Sequence, residues 1–302
     1  MAMLPRAARP AINRLAQVTP IAARAGFHST AQQFAPLRET EQRIKSVKNI
    51  EKITKSMKMI ASTKLSKAQR AMAAAKAYGA ANQEIFKNSE AVAGEGGRQL
   101  FIVVSSDKGL CGGIHSSVSK RTKAEFKNLG GEDASIVVLG EKSKSQLARA
   151  LPQSMALSFN QVGKDIPTFA DASAIADQII KSGVKFDKVN LIYNKYISAL
   201  SFESDIVEVF SEDSLRNAPG FKLYEQEDDV TKDLAEFAFA NAIFAALVEG
   251  HAAEINSKRN AMDNASKNAG DMITSLNMLY NRARQATITN DLVDIITGAS
   301  AL

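Results

Sequence analysis

No proline occurs between Pro36 and Pro152, and none after Pro219. That distribution constrains this chain more than any other feature. Proline lacks an amide donor and clashes with the preceding helical turn, so its absence leaves both ends of the chain free to form long helices. The segment 37–90 places Ile44, Val47, Ile50, Ile53, Met57, Ile60, Leu65, Ala68, Met72 and Ala75 at intervals averaging about 3.4 residues, nearer the 3.5 of a supercoiled seam than the 3.6 of a straight helix. Gly94, Gly96 and Gly97 are expected to close it. From about 228 to 299 a second stripe includes Leu234, Phe237, Phe244, Leu247, Val248, Ile255, Met262, Met272, Ile273, Leu276, Leu279, Ala283, Ile288, Leu292 and Ile296. A helix of roughly seventy residues would span about 105 Å, more than a globular core can hide, so most of it must pair with another helix. The simplest partner is the N-terminal helix, antiparallel. Gly250 and Gly270 weaken the second helix without ending it.

Residues 98–222 have a different texture. Leu100–Ser105 and Ser135–Leu139 are short apolar runs, followed by helix-like stretches at 114–129 and 141–150. A helix-like stretch at 171–183 precedes a third strand, Lys188–Tyr193, and 197–201 and 206–210 are expected to be extended and to form a hairpin edge. Strands alternating with helices predict a small, mostly parallel, Rossmann-like sheet. The expected fold is therefore α/β plus a long antiparallel coiled coil, with domains at 37–97, 98–222 and 223–302.

Residues 1–36 stand apart. They hold Arg6, Arg9, Arg14 and Arg24 with no acid, and Pro5, Pro10 and Pro20 interrupt them, the composition of a mitochondrial transit peptide. The expected processing region is 27–36. Residues 37–90 carry twelve Lys/Arg against five Asp/Glu, a net of +7, while 91–302 carry twenty-two against twenty-seven, a net of −5. The mature chain is polarised rather than uniformly basic.

Several chemistries are excluded or disfavoured. Cys111 is the only cysteine, which rules out an internal disulfide and a cysteine-based zinc site, and His28, His115 and His251 show no metal-binding spacing. No run of eighteen apolar residues appears; Phe237 to Val248, the most apolar stretch, is expected to be a buried helix. The loop Ser106-Asp107-Lys108-Gly109-Leu110-Cys111-Gly112-Gly113 follows the first strand, where a Rossmann-like unit binds phosphate. It matches neither phosphate-loop pattern, and a tight turn presenting Asp107 and Lys108 to a protein partner is the favoured reading over a nucleotide enzyme. Cys111 with His115 could form a nucleophile and base, but no acid is placed to orient the imidazole, and a small buried thiol is favoured. Lysines 45, 48, 52, 55, 58, 64 and 67 could suggest a nucleic-acid tether, yet no aromatic residue interleaves with them, which favours acidic protein surface. The last eight residues carry no charge, and Ile288, Leu292, Val293, Ile295 and Ile296 occupy several helix faces. A helix apolar around its circumference must be surrounded, either by its own core or by a partner's sleeve.

Three separated motifs resemble one family. Arg43-Ile44, Ser46-Val47, Asn49, Lys52-Ile53-Thr54, Ser56-Met57, Ala61-Ser62 and Lys64-Leu65 resemble the N-terminal signature of ATP synthase gamma subunits. Ser106–Gly113 resembles that family's central loop, and Tyr280-Asn281-Arg282-Ala283-Arg284-Gln285-Ala286, Ile288-Thr289 and Gly298-Ala299 its C-terminal signature. The resemblance implies a non-catalytic rotor: a coiled-coil shaft within a ring of three alpha and three beta subunits, its α/β domain binding the small central-stalk subunits (delta and epsilon) and the membrane c-ring. It implies a peripheral place on the matrix side of the mitochondrial inner membrane, with ATP, ADP and Mg bound by the neighbours. By residue match, Met57, Arg284, Gln285, Thr289 and Asp291 would meet the beta subunits, and Asp107 and Lys108 would form a second contact loop. The inserted cysteine pair of chloroplast members is missing.

Overall fold

A computed structural model describes residues 30–88, 98–128, 134–184, 186, 188–209, 212, 216, 218–221 and 229–301. The expected presequence up to residue 29 and the glycines Gly94, Gly96 and Gly97 lie outside them. Long α-helices occupy both ends, α1 over Thr30–Asn88 and α5 over Thr231–Ser300, and Gly250 and Gly270 lie inside the second without interrupting it. The strands are β1 (Gln99–Val104), β2 (Ala134–Leu139), β3 (Met155–Phe159), β4 (Lys188–Tyr196) and β5 (Phe202–Val209). Between them run α2 (Ile114–Asn128), α3 (Glu141–Leu147) and α4 (Phe169–Lys181). The chain divides into two compact units, Arg43–Met278 and a second made of Met1–Gln42 with Leu279–Leu302.

In the larger unit the sheet runs β3-β2-β1-β4-β5, parallel except for the β4–β5 hairpin. The alternating faces of β1 explain why its sequence is continuously apolar: a parallel strand covered on both sides has no wet face. Leu100, Ile102 and Val104 enter one core with α4 and with Phe239, Ala240, Ile243, Ala246 and Leu247 of α5. Phe101 and Val103 enter the other, with Val118 and Phe126 of α2 and Leu147 of α3. The apolar stretch 237–248 is thus the part of α5 that covers the sheet. Thr168 and Asp171 start α4 with a reciprocal capping box.

Two sequence expectations need correction. β3 was not anticipated; its side chains alternate between exposed and half-buried at the sheet edge, so it lacks the apolar run that marks β1 and β2. Residues 197–201 are the turn of the hairpin and not a strand: Ser198 N–H donates to Ser201 O at 3.1 Å, and β4 itself extends to Tyr196. The turn falls there because Ser198 Oγ accepts from the backbone amides of Leu200 and Ser201.

The helix seam also differs from the apolar stripe. In this unit the covered positions of α1 include Ile44, Val47, Glu51, Thr54, Lys58, Ala61, Leu65, Ala68, Met72, Ala75 and Gly79, which step alternately by three and four. On α5, Met262, Ser266, Ala269, Ile273 and Leu276 step by four and three. That alternation is the heptad of a supercoiled pair. Ile50, Ile53 and Ile60, expected in the seam, are exposed. Thr54 and Ala61, one residue later, take the inward places, because small residues allow closer backbone approach. The direction is antiparallel. Lys58 Nζ lies 2.7 Å from Asp263 Oδ1, and Lys76 Nζ lies 2.8 Å from Glu249 Oε1. A Cβ on Gly79 would stand 3.4 Å from the Ala245 side chain.

In the smaller unit, 30–42 and 279–301 are described, all helical but for the turn at Ala301. Leu37 and Thr287 are its buried residues among those described.

Candidate functional site

The last turns of α5 carry the most unusual surface. Ile288, Leu292, Val293, Ile295 and Ile296 are all more than half exposed, Ile295 at 70%. Water does not tolerate a contiguous apolar helix end of this kind on a free-standing surface, so these turns are made to be covered by other chains. The alternative of an internal core does not hold. Arg284, Gln285 and Thr289 are exposed on the same helix, Asp291 is half-buried, and Thr289 Oγ1 donates to Gln285 O at 2.9 Å. Gln285 and Thr289, four apart, share one face, and Arg284, Ile288 and Asp291 share another. Met57, in the larger unit, is half-buried on α1. The exposed Ile50, Ile53, Met59 and Ile60 give that part of α1 an outward apolar face interleaved with lysines.

The loop after β1 is held from within the larger unit. Asp107 Oδ1 accepts from Glu141 N–H at 2.7 Å, capping α3. Lys108 Nζ donates to Gly163 O at 2.9 Å and Lys164 O at 2.6 Å. Gly140 makes this closeness feasible: its φ is 103°, and a Cβ there would stand 2.6 Å from Ser106 N. Asp107 and Lys108 therefore set the loop's shape, and the side chain left at its apex is Leu110, 61% exposed at φ 63°.

Cys111 is buried under α5. Its thiol donates to Gly109 O at 3.2 Å and lies 3.6 Å from Glu254 Oε1; burial first, then the Glu254 carboxylate, push it up to about 12. A thiol so rarely ionised is a poor nucleophile. His115 bonds elsewhere, with Nδ1 3.0 Å from Ser105 Oγ and Nε2 3.0 Å from Lys108 O, and burial lowers its pKa. The order of strands places this loop at the β1/β4 switch point, where doubly wound sheets bind ligands outside the strand ends. Here α5 closes over it, with Ser257 Oγ donating to Cys111 O at 2.5 Å, and Asn194 Nδ2 of β4 holds the start of α2 by donating to Ile114 O at 3.2 Å. Among the described residues no three His, Cys, Asp or Glu side chains converge as metal ligands, and no helix is long and apolar enough to cross a membrane.

Sequence reasoning passed over three charged or titratable residues buried on α5, Glu249, His251 and Glu254. A signal existed, since ionisable residues spaced two or three apart straight after an apolar run demand internal partners.

Long paired helices joined to a sheet domain, ending in apolar turns left for other chains to cover, are the architecture of a subunit that works inside a larger assembly. The family model described as ATP synthase matches residues 36–302. The mitochondrial ATP synthase subunit gamma of Yarrowia lipolytica is 53% identical over 274 residues, 90% of this chain and 94% of that one. The rat mitochondrial F(1) complex subunit gamma is 42% identical, covering 89% and 100%. Among solved structures, a chain of the Tetrahymena thermophila mitochondrial ATP synthase central stalk and c-ring aligns at TM-score 0.61 and 28% identity, over 71% of this chain and 99% of that one. A chain of the Euglena gracilis enzyme, in an assembly of F1 and c-ring, shares the fold at TM-score 0.73 and 17% identity, covering 88% and 94%. This chain belongs to the family of mitochondrial ATP synthase gamma subunits.

Proposed function

We propose that the chain is the central-stalk rotor of a proton-translocating mitochondrial ATP synthase, without a catalytic site of its own. It transmits rotation of the membrane c-ring to three alpha and three beta subunits, and ATP, ADP and Mg bind in those neighbours. The single observation that carries this reading is the uncovered apolar end of α5, with no charge after Asp294. An apolar surface in an apolar sleeve forms no strong directional bonds, so it can turn against its surroundings while remaining shielded from water. Residues 1–36 are the transit peptide, 37–97 and 223–302 the shaft helices, and 98–222 the α/β domain that meets delta, epsilon and the c-ring. The chain acts peripherally on the matrix side of the inner membrane and binds no nucleic acid.

Met57, Arg284, Gln285, Thr289 and Asp291 are the residues we assign to beta contact. Arg284, exposed on α5, can form a charge-assisted bond to a partner carboxylate. Asp107 and Lys108 form the second contact loop by fixing the backbone that presents Leu110. In the Arg284→Ala complex, proton pumping per ATP hydrolysed should fall more than the amount of assembled complex falls. Unchanged hydrolysis and unchanged pumping would count against the assignment. Purification of the complex should yield one copy of this chain for three alpha and three beta.

A further inference from the structure

Between Glu249 and Asn260, three turns of α5 bond by side chain to the elements around them. Glu249 Oε1 accepts from the Tyr196 amide at 3.1 Å and from Lys76 Nζ at 2.8 Å, so one carboxylate ties α5 to β4 and to α1. Glu254, 3% exposed, lies 3.6 Å from the Cys111 thiol, which ties α5 to the loop after β1. Asn256 Nδ2 donates to Ser198 O at 3.1 Å, and Asn260 Nδ2 to Ala199 O at 2.8 Å, which ties α5 to the hairpin turn. At 100° per residue, Glu249 and Glu254 point about 140° apart around the helix axis, so they grip it from different sides.

We propose that Glu249 and Glu254 are positioning residues that lock the α/β domain to α5, and that this joint is where torque passes from the domain into the shaft. The inference deepens the rotor reading and rests on it. Just N-terminal to the joint, α5 meets the sheet through Phe239, Ala240, Ile243, Ala246 and Leu247. Such apolar contact is strong but non-directional, and it resists sliding around a helix axis poorly. Hydrogen bonds depend steeply on angle and resist that motion. Buried carboxylates are also a costly choice where an apolar side chain of similar volume would do as well for stability. Two of them facing backbone and side-chain donors from three different elements suit a part that must hold its angle under load.

The test uses the assembled complex carrying Glu249→Gln, Glu254→Gln, or Glu249→Leu with Glu254→Leu. The readouts are complex content, ATP hydrolysis and ATP-driven proton pumping. The double Leu variant should assemble and hydrolyse ATP while pumping per ATP falls by roughly three-fold or more. The Gln variants, which keep an acceptor oxygen in place, should retain most of the wild-type ratio. An unchanged ratio in the double Leu variant would overturn the proposal, and so would Gln variants that fail as badly as Leu. Failure of the double Leu variant to assemble would overturn it too, because the pair would then serve folding rather than load. A wild-type chain that does not restore pumping to a complex lacking it would instead refute the rotor reading itself.

Discussion

The corrected seam makes a sharp prediction about two neighbouring residues of α1. Leu65 is 5% exposed and Ile60 is 57% exposed, although both belong to the same apolar stripe in the sequence. Truncating Leu65 to Ala removes three carbons from a covered position. At about 0.8 kcal/mol per methylene the transfer loss is roughly 2.4 kcal/mol. The cavity left between two helices raises it to about 3 kcal/mol. Ile60→Ala removes groups already in water and should change stability by no more than about 0.5 kcal/mol. The assay is urea unfolding of the purified chain followed by far-ultraviolet circular dichroism, because in the complex a partner could cover Ile60. A midpoint lowered strongly by Leu65→Ala and hardly by Ile60→Ala supports the register. Equal shifts, or the reverse order, would refute it.

Three further outcomes follow from buried groups. With its pKa near 12, the Cys111 thiol should be about one ten-thousandth ionised at pH 8, so iodoacetamide should leave the native chain unlabelled and label it fully in guanidinium; rapid native labelling, read by mass spectrometry, would contradict the burial. His251 is held down from 6.5 to about 4, by burial first and then by Lys108 and Lys64, with Asp165 opposing. Its folded pKa lies below the unfolded one, so the unfolded state takes the proton first and stability is lost as pH falls from about 6.5 toward 4, by at most about 3 kcal/mol. Glu254, whose pKa burial raises, acts in the opposite sense, losing stability as pH rises above its unfolded value. As pH drops through that window, the urea midpoint should fall more steeply for wild type than for His251→Gln; parallel curves would refute the assignment. Gly140→Ala should cost about 1–3 kcal/mol from backbone strain alone, besides the clash with Ser106, and a thermal midpoint equal to wild type would contradict that.

Much of the fold was legible because it rests on local rules. The proline gaps marked α1 and α5, and the continuous apolar runs marked β1 and β2. The seam register was less so. Ile53 and Ile60 outrank Thr54 and Ala61 in hydrophobicity, and a reading by apolar periodicity assigns them inward. The structure turns them outward, since closeness of two backbones depends on size as well as polarity, and an apolar residue that meets a second chain looks in sequence like one that meets its own. For the same reason the apolar end of α5 could be recognised as needing a cover, while only its exposure in the folded chain removed the internal core as that cover. Glu249 and Glu254 were invisible as partners because their donors, the Tyr196 amide and the Cys111 thiol, are brought to them by tertiary packing across more than fifty residues of chain.

A rotor must turn inside its partners. The most direct measurement immobilises the alpha–beta head of the complex, attaches a visible probe to an exposed cysteine introduced at Lys123 of α2, and records the probe during ATP hydrolysis. The probe should rotate continuously in one direction and stop when ATP is withdrawn. A probe that stays fixed while the same complexes hydrolyse ATP would contradict it.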